Sequence, residues 1–125
     1  MSLKVYISGQ LYDKADAKIS VYDHGLLYGD GVFEGIRAYW NEEQGALFGL
    51  KIREHMARVR KNAQMLLMED LPSVDELVEM VVETVRRNGF REDAYIRPSY
   101  YKSTRAIGVK LHHLDHQFLA HLCQF

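Results

Sequence analysis

The 125-residue chain is short of several things, and each shortage excludes something. Cys123 is the single cysteine, so no internal disulfide can form, and a reducing compartment fits. Charge of one sign is lacking: Lys and Arg number 16, Asp and Glu 17, for a net charge of −1. That balance removes the electrostatic case for nucleic acid or an anionic membrane as the main partner. No apolar run approaches the ~20 residues of a spanning helix, and the N-terminus has no signal-peptide core, so a cytoplasmic protein is expected. There is no internal repeat, no low-complexity tract and no Ser/Gly/Pro-rich linker, and the length suits one domain. Walker and nucleophile-elbow motifs are missing, and one cysteine cannot build a Cys-based zinc cluster.

What is present suits a globular domain: 47% hydrophobic and 26% charged residues are ordinary for a chain with a packed core. Leu3 to Ile7 reads as a short strand, broken by Ser8-Gly9 before Gln10-Leu11-Tyr12, a hairpin signal. Lys18 to Tyr22 alternates polar and apolar residues and predicts a half-buried strand, after which Asp23-His24-Gly25 turns the chain. Val32 to Trp40 is the next expected strand, Asn41 to Gly45 its exit loop, and Leu47-Phe48 a short return strand. Lys51 to Met68 predicts a helix whose apolar stripe is Ile52, Met56, Val59, Ala63 and Leu66. Ser73 opens a second helix, with Glu76 three residues on in the reciprocal capping pattern, and Gly89 closes it. Its stripe is Val74, Leu77, Val78, Val81, Val82 and Val85. Ala94 to Tyr101 and Gln117 to Cys123 return to strand. The expected class is α+β: an antiparallel sheet with two helices packed on one face.

Alternation along the strands groups the chemistry-bearing residues. From Val32 on, one face carries Val32, Glu34, Ile36 and Ala38, and the other Phe33, Gly35, Arg37 and Tyr39. The second set puts an aromatic wall, a gap and a guanidinium in a row. Ala94 to Tyr101 likewise groups Tyr95, Arg97, Ser99 and Tyr101. Two such strands either line one carboxylate-binding pocket or are exposed edges with incidental arginines. Arg58 lies on the first helix beside His55, among Arg53, Arg60 and Lys61. That cluster is either a solvated basic face or the source of one arginine turned towards a phosphate. Gly29, Gly31 and Gly35 approach a dinucleotide fingerprint, but a strand follows where that motif needs a helix. They also miss the kinase glycine loop. His112, His113 and His116 have no further ligand suitably spaced, and the segment reads as surface loop, so no metal site is expected.

Asp23-His24-Gly25-Leu26-Leu27-Tyr28-Gly29-Asp30-Gly31-Val32-Phe33-Glu34-Gly35-Ile36-Arg37-Ala38-Tyr39 resembles the signature segment of the fold-type IV pyridoxal-phosphate enzymes, among them most the branched-chain amino acid aminotransferases. Arg53 to Arg58 resembles the helix with that family's phosphate-binding arginine, and Tyr95-Ile96-Arg97-Pro98 its substrate-side strand. The resemblance runs collinearly from about Val5 to Val109. It implies that Arg58 holds the 5'-phosphate of pyridoxal 5'-phosphate. It implies further that Phe33, Gly35, Arg37, Tyr95 and Arg97 wall the substrate pocket, and that Tyr28 reaches a neighbouring subunit's pocket in a homodimer. The implied activity moves the amino group between Leu, Ile or Val and 2-oxoglutarate. D-amino acid transamination and aminodeoxychorismate lysis are alternatives in the same superfamily. Ser8 departs from the family's usual Asn.

Transamination needs a lysine that bonds the cofactor covalently and shuttles a proton. None of Lys4, Lys14, Lys18, Lys51, Lys61, Lys102 or Lys110 sits in the family's lysine context. Residues 1–125 are therefore expected to be the small N-terminal domain of a truncated enzyme, inactive alone, with the lysine-bearing C-terminal domain absent. A standalone, non-catalytic dimerising module is the reading from another class. Apolar surface left without its cover predicts self-association.

Overall fold

The computed structural model describes residues 2–124. Strands β1 (Lys4–Ile7) and β2 (Gln10–Asp13) form the expected hairpin. Ser8 and Gly9 both take positive φ, 46° and 92°, as a two-residue turn matching the strand twist requires. The departure at Ser8 thus falls where Asn, which tolerates this region better, would be less strained.

Lys18 to Tyr22 is not a strand. A 3-10 turn at Lys14–Asp16 diverts the chain away from the sheet edge, and the segment runs on without pairing. Alternation describes which way side chains would point. It does not supply a neighbour to accept hydrogen bonds, and Ile19, Val21 and Tyr22 are left exposed. Asp23-His24-Gly25 is likewise more than a turn. It opens a short helix, α1 (His24–Tyr28), with extended Asp23 as its N-cap. Gly25 is where α1 meets the sheet: a Cβ there would lie 3.0 Å from the Tyr101 Cβ and 3.1 Å from the Lys102 carbonyl.

The expected strand Val32 to Trp40 becomes two, β3 (Gly31–Phe33) and β4 (Ile36–Asn41). Both pair with β6 (Ala94–Lys102), and the facing residues descend without a skip from Gly31–Tyr101 to Ala38–Ala94. The interruption is therefore in hydrogen bonding and not in register. Its cause is Pro98, which accepts the Glu34 N–H at 3.0 Å but has no N–H to return. The two faces read from alternation survive the break.

β5 (Ala46–Gly49) returns beside β4. Helix α2 (Ile52–Met65) stops short of Met68, because Leu67 enters a left-handed conformation, φ 62°. That turn sends Met68 back into the core, where its N–H bonds to the Ala63 carbonyl at 3.1 Å. Helix α3 (Val74–Asn88) begins with the reciprocal Ser73–Glu76 cap and ends at Gly89, as its sequence predicts. β7 (His116–Gln124) lies between β1 and β6. Among the described residues the antiparallel sheet runs β2-β1-β7-β6-β4-β5, with β3 also on β6. Ile36, Ala38, Ile96, Tyr100, Ala120 and Leu122 pack from the sheet against Met56, Val59, Ala63, Leu77 and Val81 of the helices. Removing these side chains from water supplies about 1.5–3 kcal/mol for each large one. Helices α2 and α3 cover one face; the other is more exposed, with α1 meeting it only at the Tyr101 end of β6. Among the described residues no helix is long and apolar enough to cross a membrane.

Candidate functional site

Five residues singled out in the sequence come together on the open face. Gly35 is the centre of the arrangement. A Cβ at this position would stand 2.5 Å from the Tyr95 hydroxyl oxygen, so the missing side chain is the space the phenol occupies. Held there, the Tyr95 oxygen accepts hydrogen bonds from Arg97 Nη2 at 2.7 Å and Nε at 3.2 Å. The guanidinium in turn lies over the Phe33 ring, 4.4 Å from its centroid, which is cation–π distance. Arg37 faces Tyr95 across the β4–β6 pair. Gap, phenol, guanidinium and ring are thus locked in sequence, each by the one before.

Arg97 carries the charge beside the phenol and the Phe33 ring. Among the described residues, no carboxylate forms an ion pair with Arg97, whose bonds go to a neutral phenol. Two of its N–H groups are aimed at Tyr95, and Nη1 remains for an incoming acceptor. The phenol, already accepting twice, keeps its own proton to donate. A fork of donors over an aromatic wall is the chemistry that recognises a carboxylate carrying an apolar side chain.

Arg58 stands apart from these five. It comes from α2, on the opposite side of the sheet, and reaches the break between β3 and β4. There Glu34 accepts from its Nε at 3.0 Å and its Nη2 at 2.7 Å, and His55 Nδ1 lies 2.7 Å from the same carboxylate. Glu34 is 6% exposed, and the Arg58 side chain 64%. Burial pushes the Glu34 carboxyl upward, but the hydrogen bonds and charges of Arg58 and His55 outweigh it and hold the group below the usual carboxylate value. The basic helix face is therefore split: Arg53 pairs with Asp75, Arg60 donates to the Pro72 carbonyl, and Arg58 is anchored to the sheet.

Tyr28 is not joined to the five either. It lies on α1, and its hydroxyl accepts the Gly108 N–H at 2.8 Å. A polar cluster that sequence reasoning missed holds the same segment. His24, 1% exposed, sits with Nδ1 2.5 Å from Asp30 and Nε2 2.8 Å from the Gly108 carbonyl. Lys102, fully buried, donates to the Leu111 carbonyl, and burial lowers its pKa while the charge of Asp30 works against that lowering. Parity along β6 placed Lys102 on the covered face, which was a signal that it could not be an ordinary solvated lysine. Nothing in the sequence signalled His24 and its distant partner. Of the three histidines, His116 Nε2 lies 2.6 Å from the Glu69 carbonyl, and the rings of His112 and His113 touch at 5.1 Å. A hollow of about 960 Å³ lined by Lys18, Asp23, Glu69, Arg105 and Asp115 includes none of the predicted site residues. The open cluster, with Arg97 set between the Tyr95 hydroxyl and the Phe33 ring, has the more definite chemistry.

This fold is that of the small N-terminal domain of the fold-type IV pyridoxal-phosphate aminotransferases, with an antiparallel sheet and two helices on one face. Within that class the chain matches the branched-chain-amino-acid aminotransferases in both sequence and structure. It is 50% identical over 95 residues to a Methanocaldococcus jannaschii protein that carries that name provisionally, which is 76% of this chain and 31% of the relative. The crystal structure of the branched-chain aminotransferase of the thermophilic archaeon Thermoproteus uzoniensis with norvaline superposes with a TM-score of 0.92 and 42% identity. That match covers 100% of this chain and 41% of the other. The branched-chain amino acid aminotransferase from Escherichia coli gives 0.86 and 29%, over 100% and 42%. The chain spans about a third of the length of the curated relatives it matches. No protein-family model matches it.

Proposed function

We propose that residues 1–125 are the small domain of a pyridoxal-phosphate-dependent branched-chain aminotransferase, cytoplasmic and homodimeric, that moves the amino group between Leu, Ile or Val and 2-oxoglutarate. The observation that carries this reading is the cluster of Gly35, Tyr95, Arg97 and Phe33, a guanidinium set against aromatic rings with no ion-pair partner among the described residues.

The residues present fit the cofactor's phosphate. Glu34 engages Arg58 through Nε and Nη2, which fixes the plane of the fork and leaves Nη1 for an anion. Bound pyridoxal phosphate supplies the conjugated ring that takes up electrons when the bond to the substrate's Cα breaks. Arg58 holds the phosphate from one side of the β3–β4 break. On the other side, Arg97 and the Tyr95 hydroxyl bind a carboxylate, and Phe33 shields the apolar side chain from water. Arg37 extends this wall, and Gly35 leaves the space that seats the Tyr95 phenol. Tyr28, steadied by Gly108, serves the pocket of the second subunit. The lysine that bonds the cofactor comes from outside these 125 residues: Lys102 is committed to the Leu111 carbonyl on the covered face.

Titration with pyridoxine 5'-phosphate, which has no aldehyde to react with surface lysines, followed by phosphorus NMR, tests the phosphate site. Arg58→Ala is expected to weaken binding by about tenfold, the loss of one charge-assisted hydrogen bond. Equal binding by the variant overturns the assignment of Arg58.

A further inference from the structure

The open face holds one more polar group beside the cluster. In the β6–β7 pair His121 stands directly opposite Arg97, with Leu119 opposite Ser99 and Cys123 opposite Tyr95. Directly opposed residues share a face, with Cβ atoms about 4.5–5.5 Å apart, so the imidazole lies alongside the guanidinium. On its other side His121 borders a hollow of about 470 Å³, lined by Val5, Ile7, Ile19, Leu119 and Cys123, with Lys14 the one charged side chain among the lining groups. Among the described residues no carboxylate lines it.

We propose that His121 is a second anion-recognising residue beside Arg97, so that a carboxylate on this face is held by guanidinium and imidazole together, with the ligand's apolar part towards the hollow. This rests on the carboxylate role given to Arg97 above and adds a residue to it. The electrostatics agree. Burial and the neighbouring charge of Arg97 both lower the His121 pKa, so the ring is neutral near neutral pH and gains its proton in more acidic solution. An anion bound between the two groups offsets the repulsion from Arg97, and binding then takes up a proton. The groups facing His121 are few: Arg97 and Tyr95 on β6, Cys123 on its own strand, and Lys14 from the 3-10 turn. β1 contributes Val5 and Ile7 only. With no acid among them, the pH response of an anion site here belongs to the histidine.

The test is an amide NMR titration of the chain with 4-methyl-2-oxopentanoate, a 2-oxo acid ionised throughout, at about pH 5 and about pH 7.5, either side of an ordinary histidine pKa. The native chain is expected to bind about fivefold more tightly at the lower pH, the scale of one added charge near a surface. His121→Gln is expected to keep the weaker binding and lose the pH difference. Arg97→Gln is expected to lose binding at both. An undiminished pH difference in His121→Gln overturns the role of His121 and leaves that of Arg97 standing. Native-like binding by Arg97→Gln overturns the carboxylate reading itself. In native protein the His121 ring signals should also titrate at higher pH with ligand than without; an unmoved titration counts against the proposal.

Discussion

The two faces of one sheet are built from the same strands and have opposite characters. On the covered face, Ile36, Ala38, Ile96 and Ala120 are fully buried against α2 and α3. On the opposite face of the sheet, Phe33 is 58% exposed and Tyr39 42%, and among the described residues no carboxylate pairs with Arg97. The covered face is saturated with apolar contacts, and its packing stabilises the domain. The open face is the reverse, holding aromatic surface and positive charge in a fixed arrangement that contributes little to folding. Separating the two by a parity step lets a small domain keep its stability and its recognition chemistry independent.

Substitutions can test that separation. The largest effect belongs to the covered face. Ile96→Ala is expected to cost about 2–5 kcal/mol in urea unfolding through the cavity it leaves, whereas Phe33→Ala on the open face should stay under about 1 kcal/mol. Similar losses at both would mean that the open face is packed after all. Glu34 is the charged exception on the covered side, held by His55 and Arg58 of α2. Glu34→Gln is expected to cost about 1–3 kcal/mol, since His55 and Arg58 lose a buried charged acceptor. The sign of its pH dependence follows from a folded pKa held below the unfolded value of 4.5. The stabilisation is fully present above that unfolded value and is lost as pH falls through the folded one. Acid unfolding of the native chain should therefore be steeper below pH 4.5 than that of Glu34→Gln, and parallel curves would remove Glu34 from that role.

Smaller effects are expected where only the open face is touched. Gly35→Ala forces the Tyr95 ring to swing away, at about 1 kcal/mol, and should also abolish the carboxylate binding that depends on the displaced hydroxyl. An unchanged affinity would mean that Tyr95 does not orient Arg97. Arg97→Gln is the extreme case, expected within about 0.5 kcal/mol of native stability.

Much of this was legible in the sequence because it is periodic. The stripes of α2 and α3, the Ser73–Glu76 cap and the faces of β4 and β6 follow from spacings that backbone geometry imposes. The failures share a cause as well. Lys18 to Tyr22 alternates like a strand but has no partner, and pairing is not encoded locally. His24 reaches Gly108 and Asp30, and His121 meets Arg97, only because separate elements converge.

The amino-acid sequence by itself determined which residues share a face, since side-chain direction repeats every two residues in a strand and every 3.6 in a helix. It also carried the resemblance to the branched-chain aminotransferases that the matched proteins bear out. Tertiary structure alone decided which face the helices would cover, that Arg58 would be held by Glu34 across a sheet break made by Pro98, and that His121 would stand against Arg97. Those outcomes depend on strand order and register, which are set by the collective packing of the whole chain and by no local spacing within it.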